Sequence, residues 1–191
     1  MTVVRCLALA VLLFASSIGH AQIAAYGMAT LNAYGASNGS TISLKSTTGG
    51  PTLGGFYNFP IQSRLTAGID VRTTFSPGDN GGNFTGVAFR MGFVPTKVRL
   101  RPYFQLGGGV VSTTVPVYVN PVFNVYAPTN QRHTSGALQL ALGLDIRLTD
   151  HWDYRVLDYG AAAGGSSSGS AGVGWASAGV VYHFGPVKSA K

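Results

Sequence analysis

The chain has 191 residues, enough for one domain, and only 10% of them are charged, whereas a soluble domain carries about 25% charged residues. Glycine occurs 27 times and glutamate is absent, so a mainly helical protein is not expected. The formal net charge of +7 would suit an acidic partner, but most arginines fall on polar faces of predicted strands, so nucleic acid is not an expected partner.

The first 21 residues have the pattern of a secretory signal peptide. Arg5 supplies the positive start, residues 7–14 form an apolar run too short to cross a bilayer, and residues 19–21 form a small-residue cleavage site. The single cysteine, Cys6, lies within this segment. The exported chain is therefore expected to have no disulfide and no thiolate chemistry.

Eight segments after the signal have the pattern of strands. They are residues 22–34, 52–59, 64–75, 83–94, 98–110, 135–149, 154–162 and 171–184. The predicted connections are long at 35–51, 77–82, 113–134 and 164–170, and short at 60–63, 95–97 and 149–153. Two strands have unclear faces: the first, where small residues fall on both sides, and the seventh, where alternation slips near Leu157 and Asp158, as at a bulge.

The clearest strand is the segment 135–149. Every even position from Leu138 to Leu148 is leucine or isoleucine, and the odd positions are small or polar, with Asp145 and Arg147 among them. Such a run exceeds the ordinary strand of about 5–6 residues and suits a tilted strand crossing a membrane, which needs about 9–11. Charges beside very small residues indicate a crowded interior, so we expect lipid on the leucine side and the lumen on the other.

Together these features predict an all-β fold, an eight-stranded antiparallel up-and-down transmembrane β-barrel over residues 22–185, followed by a short C-terminal tail at 186–191. Outer-membrane barrels have short periplasmic turns and longer outer loops, as the alternating connections do here. With a signal peptide at 1–21, the expected location is the outer membrane of a bacterium. The alternative is a soluble barrel of the lipocalin kind, which would turn its apolar face inward and expose more charge.

Short motifs in three of the strands carry a resemblance to a known family. They are Arg101-Pro102-Tyr103 with Gly107-Gly108-Gly109, Tyr154-Arg155-Val156 with Asp158-Tyr159, and Gly179-Val180-Val181-Tyr182-His183-Phe184-Gly185. In these the chain resembles the OmpA-like small outer-membrane β-barrel family, over essentially all of the exported sequence. The resemblance implies the eight-stranded barrel and little about activity, because members differ in role. The family's last strand often ends the chain with an aromatic residue, whereas here residues 185–191 follow Phe184.

Charged residues on the inferred lumen faces form the candidate site. They are Asp70, Arg72, Arg90, Arg99, Arg101, Asp145, Arg147 and Arg155. Distance from the short turns predicts Asp70 and Arg72 higher in the barrel than the others, with Arg99 left unassigned. An eight-stranded barrel is just wide enough for side chains to fill it, which favours a polar plug of paired charges. The alternative is a narrow anion-favouring path, since these arginines outnumber the aspartates.

Candidate catalytic groups are few. Outer-membrane barrel enzymes of similar size act on lipids through a serine and a histidine, and this chain offers His133, His151 and His183 but no glutamate. His183 faces inward without an obvious serine partner. No metal cluster, phosphate loop or carboxylate pair is recognisable, so we expect no cofactor and no enzymatic activity.

The long connections 35–51 and 115–134 are candidate contact surfaces, with Tyr118, Tyr126 and Arg132 in the second. The expected role is structural or surface interaction by a monomer with a plugged lumen. A narrow small-solute pore is the alternative, and a lipid-modifying enzyme is the least favoured. The expected partners are outer-membrane lipid and lipopolysaccharide, the barrel assembly machinery and an extracellular ligand.

Overall fold

A computed structural model describes residues 22–37, 44–62, 64–78, 81–95, 98–118, 128–166 and 169–185. They form eight strands: β1 (Gln22–Ser37), β2 (Leu44–Gln62), β3 (Leu65–Ser76), β4 (Gly82–Phe93), β5 (Leu100–Tyr118), β6 (Pro128–Arg147), β7 (Trp152–Ser166) and β8 (Gly169–His183). Each strand pairs antiparallel with the next, and β8 pairs with β1 to close a barrel. The predicted fold class is confirmed. The predicted signal peptide and C-terminal tail lie outside the described residues.

Alternation of small or polar side chains with large apolar ones gives the barrel its two faces. In β6, Leu138 is 77% exposed and the next residue, Gln139, is 1% exposed. Exposed large apolar side chains occur on all eight strands, for example Leu31, Leu53, Ile69, Phe89, Leu106, Leu140, Tyr159 and Val180. A soluble barrel would bury these side chains, so the lipocalin-like alternative is wrong.

The sequence did not show which side chains of β1 face the lumen. In the structure, the even-numbered residues do. Tyr26, Met28, Asn32 and Tyr34 are buried, whereas Leu31 between them is exposed. The small residues of this strand therefore do not mix the two faces. None of the described residues belongs to a helix long and apolar enough to cross a membrane.

The strands extend further than the composition predicted. The segment 35–51 was expected to be a loop, but β1 runs to Ser37 and β2 begins at Leu44, and the two strands pair up to Ala36 opposite Leu44. An antiparallel ladder satisfies the backbone hydrogen bonds whatever the side chains are, so a Gly/Ser/Thr-rich sequence does not end the hairpin.

The same difference occurs between β5 and β6 and between β7 and β8. β5 and β6 stay paired up to Tyr118 opposite Pro128, which are inside the predicted loop 113–134. β7 and β8 remain paired up to Ser166 opposite Gly169, inside the predicted loop 164–170. The connections at this end are therefore shorter than predicted, and the strands beside them are longer.

The two ends of the barrel differ in what they carry. We call the end with Gln22, His183 and the turns at 63–64, 94–99 and 148–151 the terminus end, and the opposite end the hairpin end. At the terminus end the amide of Phe184 donates to the carbonyl of Ile23 at 3.0 Å, which seals the ladder between the first and last strands. Because the number of strands is even, the start of β1 and the end of β8 lie at this same end.

A bulge interrupts β7 where its alternation slips. The pairing with β8 shifts between Arg155 and Asp158, and the two residues between them, Val156 and Leu157, are both exposed. Because two successive side chains point outward, the odd-numbered Arg155 and the even-numbered Asp158 both point inward. The bulge thereby brings a second charged group of β7 into the lumen.

Candidate functional site: the barrel interior

Six buried charged residues form a closed ring of alternating sign across the lumen. The ring consists of Asp70, Arg72, Arg90, Asp145, Arg155 and Asp158. Each aspartate lies between two arginines, and each arginine lies between two aspartates. We call this set the charge ring; its formal charges cancel.

Two of the aspartates connect β3, β4, β6 and β7. Asp70 lies 3.4 Å from Arg72 Nε and 3.8 Å from Arg90 Nη1. Asp145 accepts from Arg90 Nη2 at 2.9 Å and, through both its oxygens, from Arg155 at 2.7 and 3.1 Å. The bidentate pair between Asp145 and Arg155 has the fork geometry that makes charge-assisted hydrogen bonds strong.

The third aspartate, Asp158, closes the ring. It accepts from Arg72 Nη1 at 2.8 Å and lies 3.9 Å from Arg155 Nη1. It also accepts from Trp175 Nε1 at 2.7 Å and from the Tyr103 hydroxyl. Asp158 is fully buried, so these four groups together replace the water that its carboxylate loses on folding.

Aromatic rings pack on the faces of the guanidinium groups. Arg90 lies 4.0 Å from the ring centre of Phe56 and 3.7 Å from that of Tyr103. Arg155 lies 4.6 Å from the ring centres of Tyr26 and Tyr103. These are cation–π contacts in a site with little water, where such contacts are strongest.

All eight strands contribute a side chain to this level of the lumen. In strand order these side chains are Tyr26, Phe56, Arg72, Arg90, Tyr103, Asp145, Arg155 and Trp175. The side chains of the charge ring and these aromatic side chains together include at least one from every strand. This is expected for so narrow a barrel, whose interior is filled by side chains.

A second charged cluster lies closer to the terminus end. Asp153 Oδ2 is 2.9 Å from His183 Nε2 and 3.4 Å from Arg101 Nη1. His183 Nδ1 has no hydrogen-bond partner among the described residues, so the serine–histidine pair of a lipid hydrolase is not formed there. His183 faces inward as predicted, and its partner is the carboxylate of Asp153.

Counting both clusters changes the charge balance that the sequence suggested. Asp153 was predicted to be in a turn and Asp158 fell in the segment of unclear alternation, so neither was counted among lumen charges. With them, the described interior holds Arg72, Arg90, Arg101 and Arg155 against Asp70, Asp145, Asp153 and Asp158. Arginines do not outnumber aspartates, and the basis for an anion-favouring path is removed.

Above the charge ring, toward the hairpin end, the lumen is filled by hydroxyl and apolar side chains. Thr52 hydrogen-bonds to both Thr30 and Thr74 at 2.7 Å. The apolar cluster beside this ladder contains Tyr34, Phe84, Val111, Ala137, Ala141, Ala162, Ala171, Val173 and Trp175. Phe84 is 1% exposed and stacks on Trp175 with ring centres 5.5 Å apart. These side chains form a second packed layer above the charge ring.

A cavity of about 30 Å³ opens below the charge ring at the terminus end. Asn58, Arg101 and His183 line it, and it ends against Arg90 and Asp145 of the ring. A cavity needs about 10–15 Å³ for each water, so this one has the size of about two water molecules. Its inner wall is formed by these two charged residues of the ring.

Comparison with known proteins identifies the architecture. No protein-family model and no curated protein matches the chain. Among solved structures, Ail, the attachment invasion locus protein of Yersinia pestis, matches with a TM-score of 0.53 and 12% identity over 85% of this chain and 99% of that one. Neisserial surface protein A (NspA) matches with a TM-score of 0.50 and 16% identity over 84% and 99%. The fold is that of a small outer-membrane β-barrel. The resemblance expected from the sequence is confirmed at the level of the fold.

Two arginines predicted to face the lumen lie at the terminus end of this small outer-membrane barrel. Arg147, at the end of β6, forms an ion pair with Asp150 of the following turn, and its side chain is 20% exposed. Arg99 precedes β5 and is exposed, because that strand begins at Leu100 and Arg99 lies in the turn. The prediction that Arg99 faces the lumen is wrong.

The remaining candidate residues whose side chains are described do not form a site. His151 Nδ1 lies 3.0 Å from the carbonyl of His183, and Arg132 donates to the Ser112 hydroxyl. Tyr126 lies outside the described residues, as do the side chains of Tyr118 and His133. Over the described ranges, no three histidine, cysteine, aspartate or glutamate residues are grouped so that they could hold a metal ion.

Gly143 makes room for the charge ring, and Gly143→Ala is expected to destabilise the barrel by about 1–3 kcal/mol. A Cβ at this position would overlap the ring and hydroxyl of Tyr103, which is held by Asp158. Chemical unfolding of the refolded barrel in detergent measures the loss. Gly136→Ala in the same strand is the control, since a Cβ there meets nothing within 4 Å. Equal midpoints for the two variants would contradict the packing described.

Proposed function

We propose that the protein is a closed, non-conducting barrel of the bacterial outer membrane with a structural or surface-interaction role and no enzymatic activity. The observation that carries the proposal is the charge ring: six alternating charges that cancel, with aromatic side chains filling the rest of the cross-section. The apolar layer above it adds a second barrier. A solute would have to break several buried ion pairs to pass.

The membrane placement is supported by the exposed apolar side chains around the barrel. Burying apolar surface in lipid favours insertion by about 25 cal/mol per Å², and the exposed large apolar side chains found on every strand provide that surface. We assign the terminus end to the periplasm, because an exported chain enters the outer membrane from that side with both termini behind it. The hairpin end is then the outer surface.

A surface-interaction role is supported by the hairpin of β5 and β6. The pairing of β4 with β5 ends at Thr113, whereas β5 and β6 remain paired as far as Tyr118 and Pro128. The two strands therefore project as a ribbon at residues 114–118 and 128–132, which carries the exposed Arg132. Ail, which shares the fold, is named for attachment and invasion. We propose an extracellular ligand for this ribbon, with outer-membrane lipid, lipopolysaccharide and the barrel assembly machinery as further partners.

Planar-bilayer recording of the purified, refolded protein tests the closed lumen. We expect no discrete conductance steps, because the charge ring is neutral and each of its members forms two ion pairs. Heat-modifiable migration on a gel, with boiled and unboiled samples of the same preparation, verifies that the recorded protein is folded. Channel steps that persist in fully heat-modifiable material would overturn the plug and support the small-solute pore instead.

A further inference from the structure

The positive charge of the protein is unevenly placed. Since the described interior is neutral, the net charge of the described residues lies at the two ends of the barrel. Among the described side chains, the charged groups outside the interior are Arg132 toward the hairpin end, and Arg64, Arg99, Arg147 and Asp150 at the terminus end. The backbone of Lys45 lies at the start of β2, at the hairpin end. Each of the three turns at the terminus end has a described arginine in it or directly beside it.

These three arginines are distributed around the barrel at one level. Arg64 lies in the turn before β3, Arg99 in the turn before β5, and Arg147 at the start of the turn before β7. The amide of Arg147 donates to the carbonyl of Arg99 at 2.9 Å, and the amide of Val94 donates to the carbonyl of Arg64 at 2.8 Å. We call Arg64, Arg99 and Arg147 the arginine collar.

Two members of the collar have exposed guanidinium groups. Arg64 and Arg99 are exposed and form no ion pair with any described residue, whereas Arg147 pairs with Asp150. An exposed cation in water needs no ion-pair partner. However, three arginines around one rim with a single carboxylate produce a positive electrostatic potential there. That field would attract an anionic surface surrounding the barrel.

Aromatic side chains mark where this rim lies relative to a membrane. Trp152 and Tyr182 are exposed with ring centres 4.9 Å apart, and Phe184 packs on Tyr182 at 5.3 Å. Phe93 is exposed at the end of β4, directly before the turn that carries Arg99. Aromatic belts settle at the headgroup level of a bilayer, which places the collar at the height of the lipid phosphates.

We propose that the arginine collar binds the phosphate groups of anionic phospholipids in the leaflet at the terminus end. Guanidinium groups match phosphate oxygens with two parallel hydrogen bonds. The spacing around the barrel fits a surrounding ring of lipid, whereas a protein partner would require its charges on one side. The inference depends on the membrane placement proposed above.

Lipid selectivity of the reconstituted barrel tests the proposal. Spin-labelled phosphatidylglycerol and phosphatidylcholine are compared for association with the protein in phosphatidylcholine vesicles. We expect the wild type to prefer phosphatidylglycerol, by up to about fivefold for each arginine, and to lose the preference in 1 M salt. Arg64→Gln/Arg99→Gln is expected to remove most of the preference.

The matched control is Lys45→Gln/Arg132→Gln, which removes the same charge from the opposite end and is expected to keep the preference. Equal loss in both double variants would overturn the collar in favour of net charge. No preference in the wild type would also overturn it and would favour an acidic periplasmic protein as the partner. Neither result affects the membrane placement, which insertion into pure phosphatidylcholine vesicles tests separately.

Discussion

Replacing Asp158 by asparagine is expected to destabilise the folded barrel by about 3–5 kcal/mol, because removing one partner leaves buried charge uncompensated. Asp158 is the ring member with the most donors: Arg72, Trp175 and Tyr103 all donate to it, and Arg155 lies 3.9 Å away. Asparagine has almost the same volume, so the loss measures charge and not packing. Unfolding midpoints in denaturant, followed by gel mobility, provide the measurement.

Asp150→Asn is the control for that variant. Asp150 also pairs with an arginine, Arg147, but its side chain is 72% exposed, and exposed ion pairs contribute about 0–1 kcal/mol. Both substitutions remove one negative charge from the chain. If the two variants unfold at the same denaturant concentration, the charge ring does not stabilise the barrel and the plug loses its main support.

Phe84→Ala is expected to cost about 3–5 kcal/mol, the range for deleting a large aromatic side chain from a packed core. Phe84 is at the centre of the apolar layer, stacked on Trp175 and closed in by Val111 and Val173. A cavity at this place has no lipid or water to fill it at low cost. Equilibrium unfolding in lipid vesicles measures the loss.

Phe89→Ala in the same strand separates the two faces. Phe89 is 47% exposed and points to the lipid side, where acyl chains occupy the space that the side chain leaves. No cavity remains, so we expect a clearly smaller loss than for Phe84→Ala. A larger loss for Phe89→Ala would mean that the inward and outward faces of β4 are exchanged.

The inward and outward faces of most strands could be predicted from the sequence. Successive residues face lipid and lumen in turn, and these two environments favour different side chains. From Leu138 to Leu148, six even positions of leucine or isoleucine alternate with small or polar odd positions, so only one assignment of the two faces fits. The same reasoning placed Asp70, Arg72, Arg90, Arg101, Asp145 and Arg155 in the interior, where the structure has them.

What the sequence could not supply were the partners that depend on local irregularity. Asp158 faces the lumen only because of the bulge in β7. Asp153 faces the lumen because β7 begins at Trp152, whereas the sequence predicted a start at residue 154. The sequence placed six arginines but only two aspartates on lumen faces, which was a signal that further carboxylates had to join them. The sequence also placed the ends of the long hairpins too early. Composition indicates which residues favour turns, whereas backbone pairing determines where the strands stop.

The bulge in β7 also determines where this chain can change length. Deleting one residue from the middle of a regular strand turns every later side chain to the opposite face, which would send charges into lipid. Between Arg155 and Asp158, two residues span a step for which the neighbouring strand uses one. Loss of Val156 or Leu157 would restore strict alternation and leave Asp158, Gly160 and Ala162 facing inward. Of all positions in the strand, this is where a one-residue deletion keeps lipid and lumen on their own sides.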